Sequence, residues 1–456
     1  MSIQNVHGRL GRTARLVVLS VVVLAVASSI AEASADRRWV RRYSGPGNDV
    51  DAGAVLAFDQ WGNVYVAGKS ANGAHHEDYA LIKYGPDGSV KWTARYDGPA
   101  RGWDGVKGIV VDADGNVYVT GRSFGSGTYA DYATVKYDGA GHEKWVRRYS
   151  GPGSADDGAM GIALDSFGNA VVTGFSTGQS SGFDIVTIKY GPDGSTKWVQ
   201  RYDGPGGSGD VARAVVVDAD NNVYVTGPSR GNGSDWDFCI VKYSPAGVQL
   251  WVRRWNGPAN WNDGSTDLAL DKYGFVYATG YSYQSGDDCD YVTVKYNRSG
   301  DLKWVRRYDG PASGPDVAWA IAIDGNGVYV TGQSQGRGTG ADFATIRYTR
   351  RGVQTFVKRY SGPAGGPDVA NAIAAANGMV YATGFATGVH TDGDYMTRAY
   401  GAGGGYKWAD RYDGPGEGFD QGNAVGICPV TGNVYVTGGS AGPGTGPDLA
   451  TIKYAP

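Results

Sequence analysis

Aspartate residues that could bind a cation recur at nearly constant intervals along this chain of 456 residues. The intervals are five of 53 residues followed by two of 52. Oxygen ligands in such numbers suit Ca²⁺, and the alternative is that each carboxylate accepts backbone N–H bonds from the Gly-Pro turn beside it. Repulsion among eight free carboxylates favours turn capping. This first set consists of Asp51, Asp104, Asp157, Asp210, Asp263, Asp316, Asp368 and Asp420.

A second set of aspartates recurs with an arginine partner. An arginine follows each of the first seven members at a distance of 17 residues, from Asp78 and Arg95 to Asp394 and Arg411. We expect each Asp–Arg pair to be structural, and we expect the eighth member, Asp448, to pair with Arg42. The second set consists of Asp78, Asp131, Asp184, Asp237, Asp290, Asp342, Asp394 and Asp448.

No motif for catalysis or metal binding stands out from the repeat. The sequence contains no H-E-x-x-H and no phosphate-binding glycine loop, and G-x-S-x-G recurs at one position of the repeat, in five of the eight units. The histidines beyond the N-terminal region have no zinc-ligand spacing, and we expect solvated loop residues at His75, His76, His142 and His390. The sequence contains three cysteines, Cys239, Cys289 and Cys428. Three are too few for a disulfide framework. We therefore expect no metal, and Ca²⁺ in the acidic set is the alternative.

The segments that position these residues belong to one repeated unit. The sequence WVRRYSGPG begins at Trp39 and again at Trp145, and close variants complete eight copies. A regular period of this length indicates a repeat architecture. The repeats begin near residues 39, 92, 145, 198, 251, 304, 356 and 408.

Each unit contains four short segments that are typical of β-strands. In the second unit they are 106–111, 117–121, 131–137 and 144–149, and glycine-rich or Asp-containing turns separate them. Four strands per unit indicate a propeller blade. The chain starts with a fourth strand and ends with a third, so the N-terminal strand completes the last blade. We predict an all-β, eight-bladed propeller of four-stranded antiparallel blades, with the first aspartate set around the mouth of its central channel.

The repeated residues resemble a known family. VVDADGNVYVTGRSFGSG, DYATVKYD and KWVRRYSGP are similar to the bacterial β-propeller repeat called SBBP, and the similarity covers all eight units. The family name refers to seven blades, whereas eight units are counted here. The resemblance implies a secreted or surface-exposed bacterial protein, and its motifs are specific for fold rather than for activity.

Function is expected where the blades differ, because a residue present in every blade serves every blade. Extra aromatic residues occur on the face that carries the loops between blades and the loops between second and third strands, called the top face. They could stack on a sugar ring or anchor a protein loop, and packing between loops is the alternative. The candidate ligand-binding residues are Trp103, Trp261, Tyr283 and Trp319.

The N-terminus has the pattern of an export signal. Three arginines precede the apolar run 16–30, and Ala33-Ser34-Ala35 provides a small-residue cleavage site. We predict a signal peptide over 1–35 and a propeller over 36–456, with no membrane span after cleavage. The net charge of −3 excludes a basic surface for nucleic acid.

These features favour a non-enzymatic binding or scaffold protein that is secreted, periplasmic or on the cell surface. Its partner would be a protein or a glycan, held by the top-face loops, and no cofactor is expected. One alternative is an extracellular carbohydrate-active enzyme, a hydrolase or lyase with a top-face acidic site. Another is a propeller whose structure is stabilised by metal.

Overall fold

The VYVTG-like segments form the second strand of each sheet. Their β-branched and aromatic side chains fit a pleated, buried surface, and in blades 1 to 6 a turn closed by an aspartate precedes them. In the second unit, the Asp112 carboxylate accepts the backbone N–H groups of Asp114 and Asn116. Gly115 has a φ of 78°, which a glycine adopts without strain. This turn directs the chain from the first strand into the second.

The structure is a computed structural model that describes residues 34–456 apart from 48, 74, 75, 154, 208, 287 and 390. It is an eight-bladed β-propeller of four-stranded antiparallel sheets, as predicted. His75, His390 and nearly all of the predicted signal peptide lie outside the described residues. No helix in the described part of the chain is long and apolar enough to cross a membrane.

The four strands of each blade are described from the channel outwards. The innermost strands are β2 (Asp51–Phe58), β6 (Asp104–Val111), β10 (Asp157–Leu164), β14 (Ala214–Val217), β18 (Asp263–Leu270), β22 (Val317–Ile323), β26 (Asp368–Ala376) and β30 (Gln421–Ile427). The second strands are β3 (Val64–Ala71), β7 (Val117–Phe124), β11 (Ala170–Thr177), β15 (Val223–Arg230), β19 (Val276–Ser285), β23 (Val328–Gly336), β27 (Met379–Thr387) and β31 (Val434–Gly442).

The outer two strands complete each sheet. The third strands are β4 (Glu77–Tyr84), β8 (Ala130–Tyr137), β12 (Phe183–Tyr190), β16 (Trp236–Tyr243), β20 (Asp288–Tyr296), β24 (Gly340–Tyr348), β28 (Gly393–Gly401) and β32 (Thr445–Tyr454). The outermost strands are β5 (Val90–Tyr96), β9 (Glu143–Tyr149), β13 (Thr196–Tyr202), β17 (Gln249–Trp255), β21 (Leu302–Tyr308), β25 (Gln354–Tyr360), β29 (Tyr406–Tyr412) and β1 (Arg37–Tyr43).

The N-terminal strand closes the ring. β1 pairs antiparallel with β32, with Arg42 opposite Ala450 and Tyr43 opposite Leu449. Blade 8 therefore has the order β1-β32-β31-β30, and its outer strand comes from the opposite end of the described chain. Closure leaves no blade with a missing strand, which removes an unpaired sheet edge. The closure predicted from the strand count is confirmed.

The hydrophobic core lies between neighbouring blades. Buried valines and isoleucines of the second and third strands pack against the next blade, together with tyrosines such as Tyr65 and Tyr118. In five blades the repeated tryptophan of the outermost strand adds a hydrogen bond to the next blade, as when Trp92 Nε1 donates to the carbonyl of Gly139 at 3.0 Å. This repeated contact explains why tryptophan recurs at the same place in the sequence. The three cysteines are free and buried.

Candidate functional site

The Asp–Arg pairs join the third and fourth strands of every blade. All eight expected pairs are present, and seven have N···O distances between 2.5 and 2.9 Å. Each aspartate is buried and its arginine is partly exposed. Because the same contact occurs in all eight blades, these pairs are structural contacts between the two outer strands of each blade.

The first aspartate set caps the turns between blades. In every blade the Oδ2 atom accepts the backbone N–H of the glycine six residues earlier, from Gly45 with Asp51 to Gly414 with Asp420. In six blades the Oδ1 atom accepts a second backbone N–H from the end of the second strand. Burial raises the pKa of all eight carboxyl groups, and that of Asp263 reaches about 6.

Four groups of three carboxylates provide the geometry nearest to a cation site among the described residues. They occur at alternate blade junctions, where the Gly-Pro turn begins with aspartate, and their carboxylate oxygens lie within 4.8 Å of one another. In each group the middle member is exposed, and the other two already accept N–H or guanidinium bonds. The groups are Asp78, Asp97 and Asp104; Asp184, Asp203 and Asp210; Asp290, Asp309 and Asp316; and Asp394, Asp413 and Asp420.

A large cavity opens on the top face where blades 8, 1 and 2 meet. It has a volume of about 590 Å³. Trp103 lies in the loop before β6 with 58% of its surface exposed, and Phe124 ends β7 beside it. A Cβ atom added to Gly105 would meet no atom within 4 Å, so the missing side chain keeps the cavity open. The cavity therefore combines an accessible indole face with open space above the first strand.

The polar part of this cavity is mainly cationic. Lys69 pairs with Glu77 at 2.6 Å, and Arg122 pairs with Asp156 at 3.1 Å. Lys107 also lines the cavity, and no side-chain hydrogen bond or ion pair of its own is found among the described residues. Burial lowers the pKa of Lys107, and the positive charges of neighbouring basic residues lower it further. An anionic group would relieve this repulsion.

The four candidate aromatic residues do not form one site. Trp103 lines the cavity at blades 8, 1 and 2 without the other three. Trp319 lines a separate cavity of about 220 Å³ with Tyr281, and Tyr283 makes an edge-to-face contact with Tyr281 at 5.8 Å. Trp261 is 44% exposed in the loop before β18 and lines neither cavity. A ligand-binding role for these residues stays a prediction.

The residues that sequence reasoning missed are basic. Lys69, Lys107 and Arg122 line the cavity beside Trp103, and Arg213 lines the cavity beside Trp319. The repeat itself could have identified two of these residues, because they stand at a position that varies between units. Lys107 and Arg213 occupy the same position of the unit, and the residue there differs in nearly every blade.

Comparisons of the sequence with known proteins indicate no family. No family model matches the chain, and no curated protein is detectably similar to it in sequence. The resemblance to the SBBP repeat therefore stays a prediction from the sequence.

Many solved structures are similar in fold. The periplasmic gluconolactonase of Pseudomonas aeruginosa has a TM-score of 0.49 and 15% identity, over 80% of this chain and 96% of that one. The β-propeller domain of the trilobed protease from Pyrococcus furiosus has a TM-score of 0.42 and 8% identity, over 76% and 94%. A puromycin hydrolase has a TM-score of 0.46 and 13% identity, over 82% and 57%. These similarities are too distant to indicate an activity.

Proposed function

We propose that this protein is a non-enzymatic binding module that holds a saccharide ring in the top-face cavity at blades 8, 1 and 2. The observation that carries the proposal is the exposed indole of Trp103 at the edge of a 590 Å³ cavity. A large aromatic surface in water is costly to leave uncovered. An aromatic face bordered by polar groups suits a ring with one apolar face and hydroxyl groups at its rim.

The polar lining supports a sugar rather than a wholly apolar ligand. Lys69 and Glu77 offer a donor and an acceptor on one side, and Asn423 lies on the other side. A small number of placed polar groups within an otherwise apolar cavity is the usual composition of a small-molecule site. The ligand would rest on Trp103 and Phe124 and form hydrogen bonds to this rim.

The state of the two carboxylates in the cavity supports binding without hydrolysis. Glu77 is paired with Lys69 at 2.6 Å. Asp104 accepts the backbone N–H groups of Gly98 and Phe124 at 2.6 and 3.0 Å. A glycosidase needs one carboxyl group as an acid and another as a base or nucleophile. Because both carboxylates already make contacts within the protein, the lining supports binding rather than a carbohydrate-active enzyme.

We also propose that the protein acts outside the cytoplasm, in the periplasm, at the cell surface or in the medium. The support is the predicted signal peptide over 1–35. Its partner would then be a glycan of the envelope or of the surroundings, or a protein that carries one. The net charge of −3 argues against nucleic acid.

A glycan-binding measurement tests the proposal. The wild-type protein and the Trp103→Ala variant are compared on a panel of neutral and acidic mono- and oligosaccharides by calorimetry. Trp103→Ala should weaken binding at least tenfold, because stacking on the indole is lost. The control is Trp61→Ala, which removes a tryptophan of similar exposure, 56%, from the turn between β2 and β3.

The result could contradict the proposal in two ways. If the wild type and Trp103→Ala bound the sugar equally well, the binding site would not be in this cavity. Cleavage of a bound oligosaccharide, detected by mass spectrometry, would replace binding by the enzymatic alternative.

A further inference from the structure

One position of the innermost strands differs from blade to blade within an otherwise regular repeat. In seven blades a β-bulge interrupts the pairing of the first and second strands there, and an unpaired residue results. Blade 4 has Arg213 at the corresponding place, directly before β14. From blade 1 to blade 8 these bulge residues are Ala54, Lys107, Met160, Arg213, Thr266, Trp319, Asn371 and Asn423.

The uncharged polar bulge residues join neighbouring blades. Asn371 Nδ2 donates to the carbonyl of Gly422 in the next blade at 2.9 Å, and Asn423 Nδ2 donates to Gly53 at 2.9 Å. Thr266 Oγ1 donates to Ala318 at 2.8 Å. In each case the acceptor is the residue before the next blade's bulge. These three side chains therefore have a structural partner.

The two cationic bulge residues have no such partner. The side chains of Lys107 and Arg213 are accessible to solvent, but they lie inside the channel, where the surrounding blades reduce the hydration of Lys107. Within the described part of the chain neither side chain makes a hydrogen bond or an ion pair. Both line a channel cavity of about 270 Å³, with Met160 from the blade between them. No aspartate or glutamate lines that cavity.

The charges that shift the pKa of Lys107 have one sign. Loss of hydration lowers the pKa of Lys107, and the charges of Arg122, Arg213 and Lys69 act in the same direction. The chain as a whole carries a net charge of −3, whereas the two charged residues that line this cavity are both cationic. Uncompensated cations that face one cavity attract an anion and concentrate it there.

We propose that Lys107 and Arg213 bind an oxyanion group, a carboxylate or a phosphate, inside the central channel. Hydrogen bonds from a guanidinium and an ammonium to such a group are charge-assisted and are stronger than neutral ones. Arginine adds a planar fork that matches the geometry of a carboxylate or phosphate.

The site lies next to the cavity that contains Trp103. Lys107 lines both the 590 Å³ cavity and the channel cavity, so a ligand whose ring covers Trp103 can extend its anionic group towards Lys107 and Arg213. This step rests on the proposed function, and it makes the ligand an acidic sugar, a uronic acid or a sugar phosphate. The oxyanion site by itself needs no sugar.

The test uses three probes, inorganic phosphate, glucuronate and glucose, with calorimetry and thermal unfolding on the purified protein. The double variant Lys107→Gln/Arg213→Gln removes both cations, and Trp103→Ala removes the stacking surface. Lys91→Gln/Lys197→Gln is the control, because it removes two exposed lysines from the outermost strands β5 and β13.

We expect phosphate to bind the wild type, the control and Trp103→Ala alike, and to bind the Lys107/Arg213 variant at least tenfold more weakly. Glucuronate should bind the wild type at least tenfold more tightly than glucose, and this preference should disappear in the Lys107/Arg213 variant. Trp103→Ala should weaken both sugars. A bound ligand at a hundred times its Kd raises the unfolding temperature measurably.

The outcomes separate the two proposals. If phosphate does not bind and both sugars bind equally, the oxyanion site is wrong, while a loss of sugar binding in Trp103→Ala leaves the proposed function standing. If phosphate binds through Lys107 and Arg213 but neither sugar binds, the oxyanion site stands and its extension to an acidic sugar fails. Phosphate binding that is equally weakened in the control variant, or an absence of all binding, overturns the site.

Discussion

Arg42 Nη2 lies 2.9 Å from Asp448 Oδ2, so a partly buried ion pair joins the first strand of the ring to the last. Arg42 also donates to Ser440 Oγ at 2.6 Å and to the carbonyl of Ala441 at 2.8 Å. The Arg148–Asp131 pair within blade 2 has the same distance. The closure of the ring therefore uses the contact that every other blade makes within one continuous segment.

Arg42→Ala and Arg148→Ala should each destabilise the protein by about 2 kcal/mol. Removing one partner of a fully buried pair costs about 3–5 kcal/mol, and these side chains are 21% and 22% exposed, which reduces the loss. Chemical denaturation measures both variants. If Arg148→Ala is destabilised and Arg42→Ala is not, the N-terminal strand does not close the ring in solution.

Gly105→Val should block the cavity beside Trp103 without loss of stability. A Cβ atom at Gly105 would meet no neighbour, and blades 4 and 6 carry Val211 and Val317 at this position of the repeat. Sugar binding should fall at least tenfold, while the unfolding temperature should stay within about 2 °C of the wild type, as for a surface substitution.

Gly325→Val is the matched control for this variant. Gly325 lies in the turn between β22 and β23, and a Cβ atom there also meets nothing. Unchanged binding in Gly105→Val would move the site away from this cavity.

The contribution of Asp267 to the free energy of unfolding should fall as the pH rises from about 4 to 6. Desolvation raises the pKa of this carboxyl group to about 6, although the backbone N–H groups of Leu268 and Ile321 favour its ionised form. Between the unfolded and folded pKa values the folded state binds more protons, so its stability falls with rising pH.

Asp267→Ala removes this titration and has a precedent in the repeat, because blades 4, 6, 7 and 8 carry alanine there. The lost N–H contacts weaken the variant at every pH. Its stability relative to the wild type should nevertheless increase between pH 4 and pH 6.5 in denaturant unfolding. If the difference in unfolding free energy between variant and wild type did not change with pH, the pKa of Asp267 would be that of an ordinary aspartate.

The bulge hydrogen bonds should be transferable between blades. Asn371→Ala should cost about 1 kcal/mol, since the bond to the Gly422 carbonyl is lost. Ala54→Asn should raise stability by a similar amount, because the corresponding acceptor, the Val106 carbonyl, precedes the bulge of blade 2. Thermal unfolding of the two single variants measures both effects. A destabilised Ala54→Asn would show that blade 1 does not accommodate the bond.

Chelation of divalent cations should leave the unfolding temperature unchanged. Two carboxylates of each Asp group already accept bonds from the protein, as Asp78 does from Arg95 at 2.9 Å and Asp104 from Gly98 at 2.6 Å. Unfolding is compared in EDTA and in millimolar Ca²⁺. A clear rise in Ca²⁺ would support the metal-stabilised alternative, and Asp97→Asn would identify the group responsible.

The sequence was sufficient to predict the propeller but not the arrangement of the cavity. The period of the repeat and the unmatched strands at its ends determine eight blades and their closure, and both depend on pattern alone. The cavity depends on a β-bulge, which adds one residue to a strand. Beyond the bulge the alternation of side chains between the two faces of the sheet is reversed, so the sequence pattern alone does not assign them to a face. Trp319 stands out in the sequence as a candidate binding residue because tryptophan is rare in proteins. Lys107 does not stand out, because lysine is common on protein surfaces.

The pairing of β1 with β32 has a topological consequence. The backbone N–H of Ala455 donates to the carbonyl of Asp36 at 2.9 Å, so the two ends of the described ring lie side by side. A short peptide linker could join them, and the chain could then be cut in any other loop between blades. The described ring is in this sense a circle whose starting point is interchangeable, and circularly permuted chains would keep the thirty-two strands of the described residues in their places.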